Sequence, residues 1–262
     1  MSVQIKTPED IEGMRRVGRK TAEILDFITP YVKPGVTTEE LDQLCAEFVT
    51  KVQGGYSPNL NYAPPGHPPF PKSICTSPNH VVCHGIPGPK KLKDGDILNI
   101  DVAMVLDGYY GDTSRMFIVG KPTIQGKRLV EATYEAMWRG IRAVRPGATL
   151  GDIGHAIQSF VEPLGYSVVR EFCGHGIGKR YHEEPQVMHY GKPGTGLTLV
   201  PGMMFTIEPM INAGRPGIRI LADGWTAVTA DHSLSAQWEH TVLVTETGYE
   251  VTTLSDGAPP PP

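Results

Sequence analysis

The ten residues Val32-Lys33-Pro34-Gly35-Val36-Thr37-Thr38-Glu39-Glu40-Leu41 return, 112 positions later, as Val144-Arg145-Pro146-Gly147-Ala148-Thr149-Leu150-Gly151-Asp152-Ile153. Each copy reads as the end of one helix, a Pro-Gly break, and a threonine cap with an acid three residues on, which starts a second helix. At the same offset Phe48-Val49 falls on Phe160-Val161. Upstream of the first copy, Thr7-Pro8-Glu9-Asp10 supplies a cap, a proline at the first helical position and first-turn acids. Ile11, Met14, Val17, Leu25 and Ile28 follow at helical spacing, predicting a helix over about residues 8–32. Downstream, Leu41, Leu44, Cys45, Phe48 and Val49 share a face, as do Tyr134, Met137, Trp138 and Ile141 ahead of the second copy. A common helix-loop-helix solution used twice is one explanation; we read an internal duplication. Two helix pairs, each followed by strands, predict an α/β (α+β) domain of pseudo-two-fold symmetry, the helices covering one side of a curved, largely antiparallel sheet.

Composition excludes several function classes. The 24 Lys+Arg against 28 Asp+Glu leave a formal net charge of -4, the wrong balance for a chain that binds nucleic acid through clustered positive charge. No apolar run follows a basic start, and the longest uncharged stretch, residues 52–71, is broken by Gly54, Gly55, Pro58, Pro64, Pro65, Pro68 and Pro69. We therefore expect a cytoplasmic protein, neither secreted nor membrane-spanning. Its four cysteines form no C-x-x-C pair, consistent with reduced thiols. The Pro-rich tail 256–262 is expected to be disordered, leaving residues 1–255 as a single domain.

The chemistry concentrates around Asp107-Gly108, which stands between two β-rich runs, 96–106 and 109–119, and is a strong two-residue hairpin signal. Counting from that loop sets Leu106 against Tyr109 and Ala103 against Asp112, so Asp101 is diagonal to Asp112 on one face. Leu98, Ile100, Val102, Met104 and Leu106 form the opposite, apolar face. Two acids so placed repel unless solvent, Arg115 or a cation lies between them. Three more candidates follow: His175 among glycines in Gly174-His175-Gly176-Ile177-Gly178, and Glu208 and Glu239, each inside an apolar, strand-like run. Buried carboxylates are rarely tolerated without a partner. Four carboxylates and one imidazole, with no thiolate, suit a pair of divalent ions such as Mn, Fe, Co or Zn.

The order Asp101, Asp112, His175, Glu208, Glu239 occurs here with Val82-Cys83-His84-Gly85-Ile86-Pro87, His182-Glu183-Glu184-Pro185 and Thr206-Ile207-Glu208-Pro209. In these settings the chain resembles the type I methionine aminopeptidases of bacterial kind, from the first helix to Thr245. The resemblance implies the pita-bread fold, a single catalytic aminopeptidase domain, and removal of N-terminal methionine from nascent proteins whose second residue is small. It implies two divalent metal ions held by the five residues, Asp112 and Glu239 bridging, and attack by a hydroxide that bridges the ions. Glu208 would shuttle the proton, His182 would stabilise the oxyanion, and His84 would contact the peptide nitrogen on the leaving side. Phe70, Cys75, Tyr181 and Trp225 would line the methionine pocket, with His84 and His182 also touching substrate. A monovalent cation, Na or K, would map to Asn79, Val81 and Ser235.

The Pro-rich segment 62–70 departs from the family's pattern, with His67 where an aromatic residue is expected. His67, His80, His155, His189 and His232 have no motif context and read as ordinary histidines. Expected partners are N-terminal methionyl peptides and nascent chains, with a ribosome contact through Lys90, Lys91 and Lys93 as a hypothesis, and a monomeric state. Competing readings are a proline-specific peptidase of the same fold, a metal-free binding relative and a dinuclear phosphoesterase.

Overall fold

The computed structural model describes residues 2–262. In the first half, α1 (Pro8–Ile28) and α2 (Thr38–Glu47) precede β1 (Ile74–Pro78), β2 (Val81–Cys83), β3 (Ile97–Leu106) and β4 (Tyr109–Ile118). In the second, α3 (Ile124–Arg142) and α4 (Leu150–Val161) precede β5 (Ser167–Val168), β6 (Gly174–Gly176), β7 (Glu183–Val187) and β8 (Met204–Ile207). Six short strands complete it: β9 (Met210–Asn212), β10 (Ile218–Ile220), β11 (Ala227–Thr229), β12 (Ser235–Gln237), β13 (His240–Val244) and β14 (Tyr249–Val251). They pair antiparallel in the orders β1-β3-β4, β10-β11-β2, β12-β9-β5 and β14-β13-β8-β6-β7. No helix among the described residues is long and apolar enough to cross a membrane.

The predicted helix starts are observed. Thr7, Thr37 and Thr149 cap α1, α2 and α4, each exchanging bonds with the acid three residues on. The first helix stops at Ile28, short of the predicted residue 32, and tightens into a 3-10 turn at Thr29–Tyr31. Pro30 has no N–H to continue the α-helical ladder. Helix α1 lies on β3 and β4, and α3 on β9 and β12. Two cores form, each mainly from one half and completed by residues of the other: Leu25, Ile28 and Leu41 against Leu98, Ile100 and Met104, with Met204 and Leu243, in one; Met137, Ile141 and Ile157 against Phe205, Ile207 and Ile211, with Ile97 and Met116, in the other.

The duplication runs further than the helices. Gly35 and Gly147 donate their N–H groups to Leu92 O (2.8 Å) and Leu199 O (3.0 Å), and Leu92 and Leu199 return N–H bonds to Val36 and Ala148. These partners open a second matched pair of runs, Leu92 to Asp101 and Leu199 to Glu208. Gly95 and Gly202 hold the same place in each and bond to Val119 O and Val244 O. Asp101 and Glu208 are thus equivalent positions in the two halves. The halves meet where Ser114 and Glu239 exchange main-chain bonds of 3.4 and 3.3 Å. Reciprocal threonines flank that seam: Thr113 Oγ1 donates to Glu239 O (2.7 Å) and Thr241 Oγ1 to Asp112 O (2.8 Å).

The hairpin register is the counted one: Leu106 pairs with Tyr109, Ala103 with Asp112 and Asp101 with Ser114. Asp107 and Gly108 both take positive φ, as a two-residue hairpin turn requires. Arg115 does not serve the acid pair. It faces the other way, pairs with Ile100 across the ladder, and binds Asp26 of α1 at 2.9 Å. At the C-terminus Gly257 N donates to Asp26 Oδ2 (3.1 Å) and Tyr134 Oη to Pro259 O (2.7 Å).

Candidate active site

A cavity of about 480 Å³ is lined by residues of both halves. Asp101, Asp112, His175, Glu208 and Glu239 all line it, as do His84, His182, Phe70, Cys75, Tyr181 and Trp225. One ligand atom each from Asp112, His175 and Glu239 lie within 4.8 Å of one another. His175 Nε2 is 3.4 Å from Asp112 Oδ2 and 3.8 Å from Glu208 Oε1. Its Nδ1 lies 3.0 Å from Gly176 O; donation there leaves Nε2 with a free lone pair, the tautomer a metal ligand needs.

The acids are held where they would ordinarily not ionise. Burial pushes Asp112 and Glu208 up to about 8. Burial, reinforced by neighbouring carboxylates, sets Asp101 and Glu239 well above the usual carboxylate range. Asp101 Oδ1 and Asp112 Oδ1 are buried without a hydrogen-bond partner. Among the described residues no Lys or Arg lines the cavity. Four carboxylates converging without a protein cation, beside an imidazole with a free lone pair, fit divalent cations better than any arrangement of side chains alone.

Local backbone geometry aims the remaining groups. His84 sits at φ +55°, a left-handed conformation unusual for histidine, directly after β2, where a Cβ on Gly85 would meet the Thr76 carbonyl oxygen. The His84 ring stands edge-on to Phe172 and Trp225, at 5.1 and 6.1 Å. Burial, with His67 nearby, lowers His84 to about 4. His182 lies 2.9 Å by Nδ1 from Tyr62 Oη, and burial and the neighbouring histidines lower it to about 3. Next to it, Glu183 forms a buried ion pair with Lys6 of the N-terminal segment. Gly174 lies so close to β8 that a Cβ would meet the Thr206 carbonyl oxygen. Gly174→Ala is therefore expected to destabilise the fold by about 1–3 kcal/mol through overpacking and to displace His175. A urea midpoint equal to that of the unaltered chain would contradict this.

The apolar part of the cavity is a cluster of Phe70, Cys75 and Trp225, with Tyr62 and Ile86 packed against it. Phe70 meets Trp225 edge-on at 5.3 Å, and Tyr181 Oη donates to Asn59 Oδ1 at 2.6 Å. The Pro-rich segment is built into this wall. Trp225 Nε1 donates to Pro68 O (2.9 Å), and the His67 ring stands 5.1 Å from the indole with Nδ1 3.1 Å from Gly224 O. The His67 ring thus packs, tilted, beside Trp225 where an aromatic residue was expected. Elsewhere, Ser235 N donates to Asn79 O at 2.8 Å, and Val81 follows on β2. Lys90, Lys91 and Lys93 are exposed, on the segment before β3.

Several participants had no sequence signal strong enough to single them out. Thr206 Oγ1 donates to Glu208 Oε1 (2.7 Å) while accepting His175 N–H (2.9 Å), and Gln237 Nε2 donates to Glu208 Oε2 (3.2 Å). Tyr62 supports His182, and His189 accepts the Glu208 amide. Overlaying Leu92–Asp101 on Leu199–Glu208 would have drawn attention to Thr206, two residues before the acid. His189 gave no such pattern.

Comparison with known proteins places these features in a family. Residues 12–246 match the model of metallopeptidase family M24. The methionine aminopeptidase of Escherichia coli (strain K12) is 57% identical over 255 residues, spanning 97% of this chain and 95% of the relative. The crystal structure of methionine aminopeptidase from Rickettsia prowazekii superposes with a TM-score of 0.93 at 56% identity, over 97% of this chain and 100% of that one. That from Thermotoga maritima gives a TM-score of 0.90 at 40% identity, over 96% and 99%. The duplicated arrangement is therefore the expected pita-bread fold. Identity of this extent over nearly the full length makes the chain a member of metallopeptidase family M24, among its methionine aminopeptidases.

Proposed function

We propose that this enzyme removes N-terminal methionine from peptides and nascent chains whose second residue is small. The observation that carries the reading is one cavity holding both a carboxylate cluster with no Lys or Arg beside it and a buried apolar cluster of Phe70, Cys75 and Trp225. Asp101, Asp112, His175, Glu208 and Glu239 would hold two divalent ions. Ions held there supply an acidified water and polarisation of the scissile carbonyl at neutral pH. The rest falls to the chain. Phe70, Cys75, Tyr181 and Trp225 take the unbranched thioether, since sulfur contacts aromatic rings favourably. Glu208 accepts the proton released by the attacking water and returns it to the leaving amine. Tyr62 Oη, by donating to His182 Nδ1, leaves Nε2–H of a neutral ring free to donate to the developing oxyanion. His84 contacts the peptide nitrogen.

Trp225 and Phe172 flank His84 edge-on, and with His84 at the peptide nitrogen this apolar wall would favour a small second residue. A panel of Met-Gly, Met-Ala, Met-Leu and Met-Arg peptides tests it with Co2+- or Mn2+-loaded protein. Methionine release is expected from the first two and at least about tenfold slower from the others, one tenfold step being about 1.4 kcal/mol of discrimination. Equal rates across the panel would remove the specificity claim. Preference for Xaa-Pro peptides that begin with a residue other than methionine, such as Leu-Pro, would replace the reading with the proline-specific one. The proposal also takes residues 1–255 as the catalytic domain of a cytoplasmic monomer, with a ribosome contact through Lys90, Lys91 and Lys93 and, by resemblance, a monovalent-cation site at Asn79, Val81 and Ser235.

A further inference from the structure

Glu208 stands where the chain leaves one sheet for another. Strand β8 ends at Ile207 in the β14-β13-β8-β6-β7 sheet, and β9 begins at Met210 in the β12-β9-β5 sheet. Extending the β6–β8 register from Gly176 opposite Phe205 sets Cys173 opposite Glu208, but β6 has already ended at Gly174. Pro209 has no N–H, so the Glu208 amide is the one main-chain donor available to fix this crossing, and the ladder offers it no acceptor. The acceptor it finds is His189 Nε2, at 3.0 Å. His189 lies just past the end of β7 and is fully buried. With Nε2 accepting, the ring proton belongs on Nδ1, which is itself buried without a partner. A purely packing residue at this position would carry no such burden of polar atoms.

We propose that His189 is a positioning residue: its Nε2 takes the Glu208 amide that the sheet leaves unpaired, and so fixes where the Glu208 carboxylate stands in the metal centre. Thr206 and Gln237 hold the two carboxylate oxygens, while His189 holds the backbone from which the side chain departs. Groups that orient metal ligands from behind commonly govern affinity as well as rate. The inference rests on the reading of Glu208 as a metal ligand.

Two measurements on the full chain test it. In the first, metal-free protein is titrated with Co2+ alone, followed by calorimetry and by visible absorption of the bound ion. His189→Leu is expected to weaken binding about 10–100-fold and shift the absorption bands, with kcat for a Met-Ala peptide falling while KM stays within about twofold. His189→Gln, whose amide oxygen reaches about as far as Nε2, should recover affinity to within about threefold. Glu208→Gln is the control: if it leaves Co2+ binding unchanged, the ligand reading fails, whereas weakening by Glu208→Gln but not by His189→Leu overturns the positioning role. In the second, which does not depend on a variant folding, imidazole 15N shifts of the unaltered protein should show His189 protonated on Nδ1 and bare on Nε2. The opposite tautomer would refute the proposal.

Discussion

Glu208→Gln is expected to lower kcat for a Met-Ala peptide by about 10²–10⁴-fold, the range for losing a positioned general base, with KM changed far less. The substitution is nearly isosteric, so the methionine pocket is left intact. Thr206 Oγ1 can still donate to the amide oxygen, and Gln237 can turn its own amide to present an acceptor, so the local bonds are conserved in number. What is lost is a group able to carry a proton, and part of the negative charge that holds the metal. The two losses separate by measurement. Saturating Co2+ restores the fraction due to weaker metal binding and leaves the fraction due to proton transfer. A variant retaining more than a tenth of kcat at saturating metal would remove Glu208 from the proton path. His182→Ala tests the oxyanion side: about 10²–10³-fold lower kcat is expected, without recovery at high metal. These two groups act on different steps of charge development, so each loss should be seen with the other group intact.

How much of this was legible beforehand differs by residue. The helix starts were readable because a threonine cap, a proline and an acid are local chemistry, and local chemistry decides them. The hairpin was readable because Asp107-Gly108 fixes the register, and the register places Asp101 and Asp112 by counting. His175, Glu208 and Glu239 stood out as polar residues in surroundings that do not tolerate them unaided. Arg115 was ambiguous, since nothing in its strand tells that Asp26, 89 residues away, will claim it. The second half of the duplication was present in the sequence but diluted: Leu92–Asp101 and Leu199–Glu208 share leucine, glycine and the terminal acid, with most other positions changed. His189 and Tyr62 were out of reach because their roles arise from contacts between segments distant in sequence, His189 with Glu208 and Tyr62 with His182. His67 was read as a departure from pattern, and the fold absorbs it as a ring packed at a tilt beside Trp225. Long-range contacts of single residues leave no periodic trace, which is why supporting groups were harder to find than the acids they support.

Removing the metal is expected to destabilise the protein, and to do so more at pH 8 than at pH 5.5. An ordinary Asp or Glu ionises near 4 in the unfolded chain. In the folded, metal-free chain burial raises Asp112 and Glu208 to about 8 and shifts Asp101 and Glu239 well upward as well. Between those limits the folded state holds protons that the unfolded state has released. Unfolding then gives up protons, and metal-free stability falls as pH rises from about 4 to about 8. Divalent ions remove that slope, because the ligands they bind are deprotonated as they are in the unfolded chain, and protons compete with the ions for them. At pH 5.5 that competition is strong and the ion adds little; at pH 8 it is nearly gone. The expected result is a Tm gap between metal-loaded and chelator-treated protein that widens across this interval, with most of the change coming from the metal-free form. At 100-fold excess over Kd an ion stabilises by about 2.7 kcal/mol, enough to move Tm by several degrees for a chain of this size. Glu239→Gln removes one of the raised acids and should flatten the pH dependence of the metal-free form while weakening the ion's effect. A Tm gap that stays constant from pH 5.5 to pH 8 would mean that the four carboxylates are not the groups the metal displaces protons from.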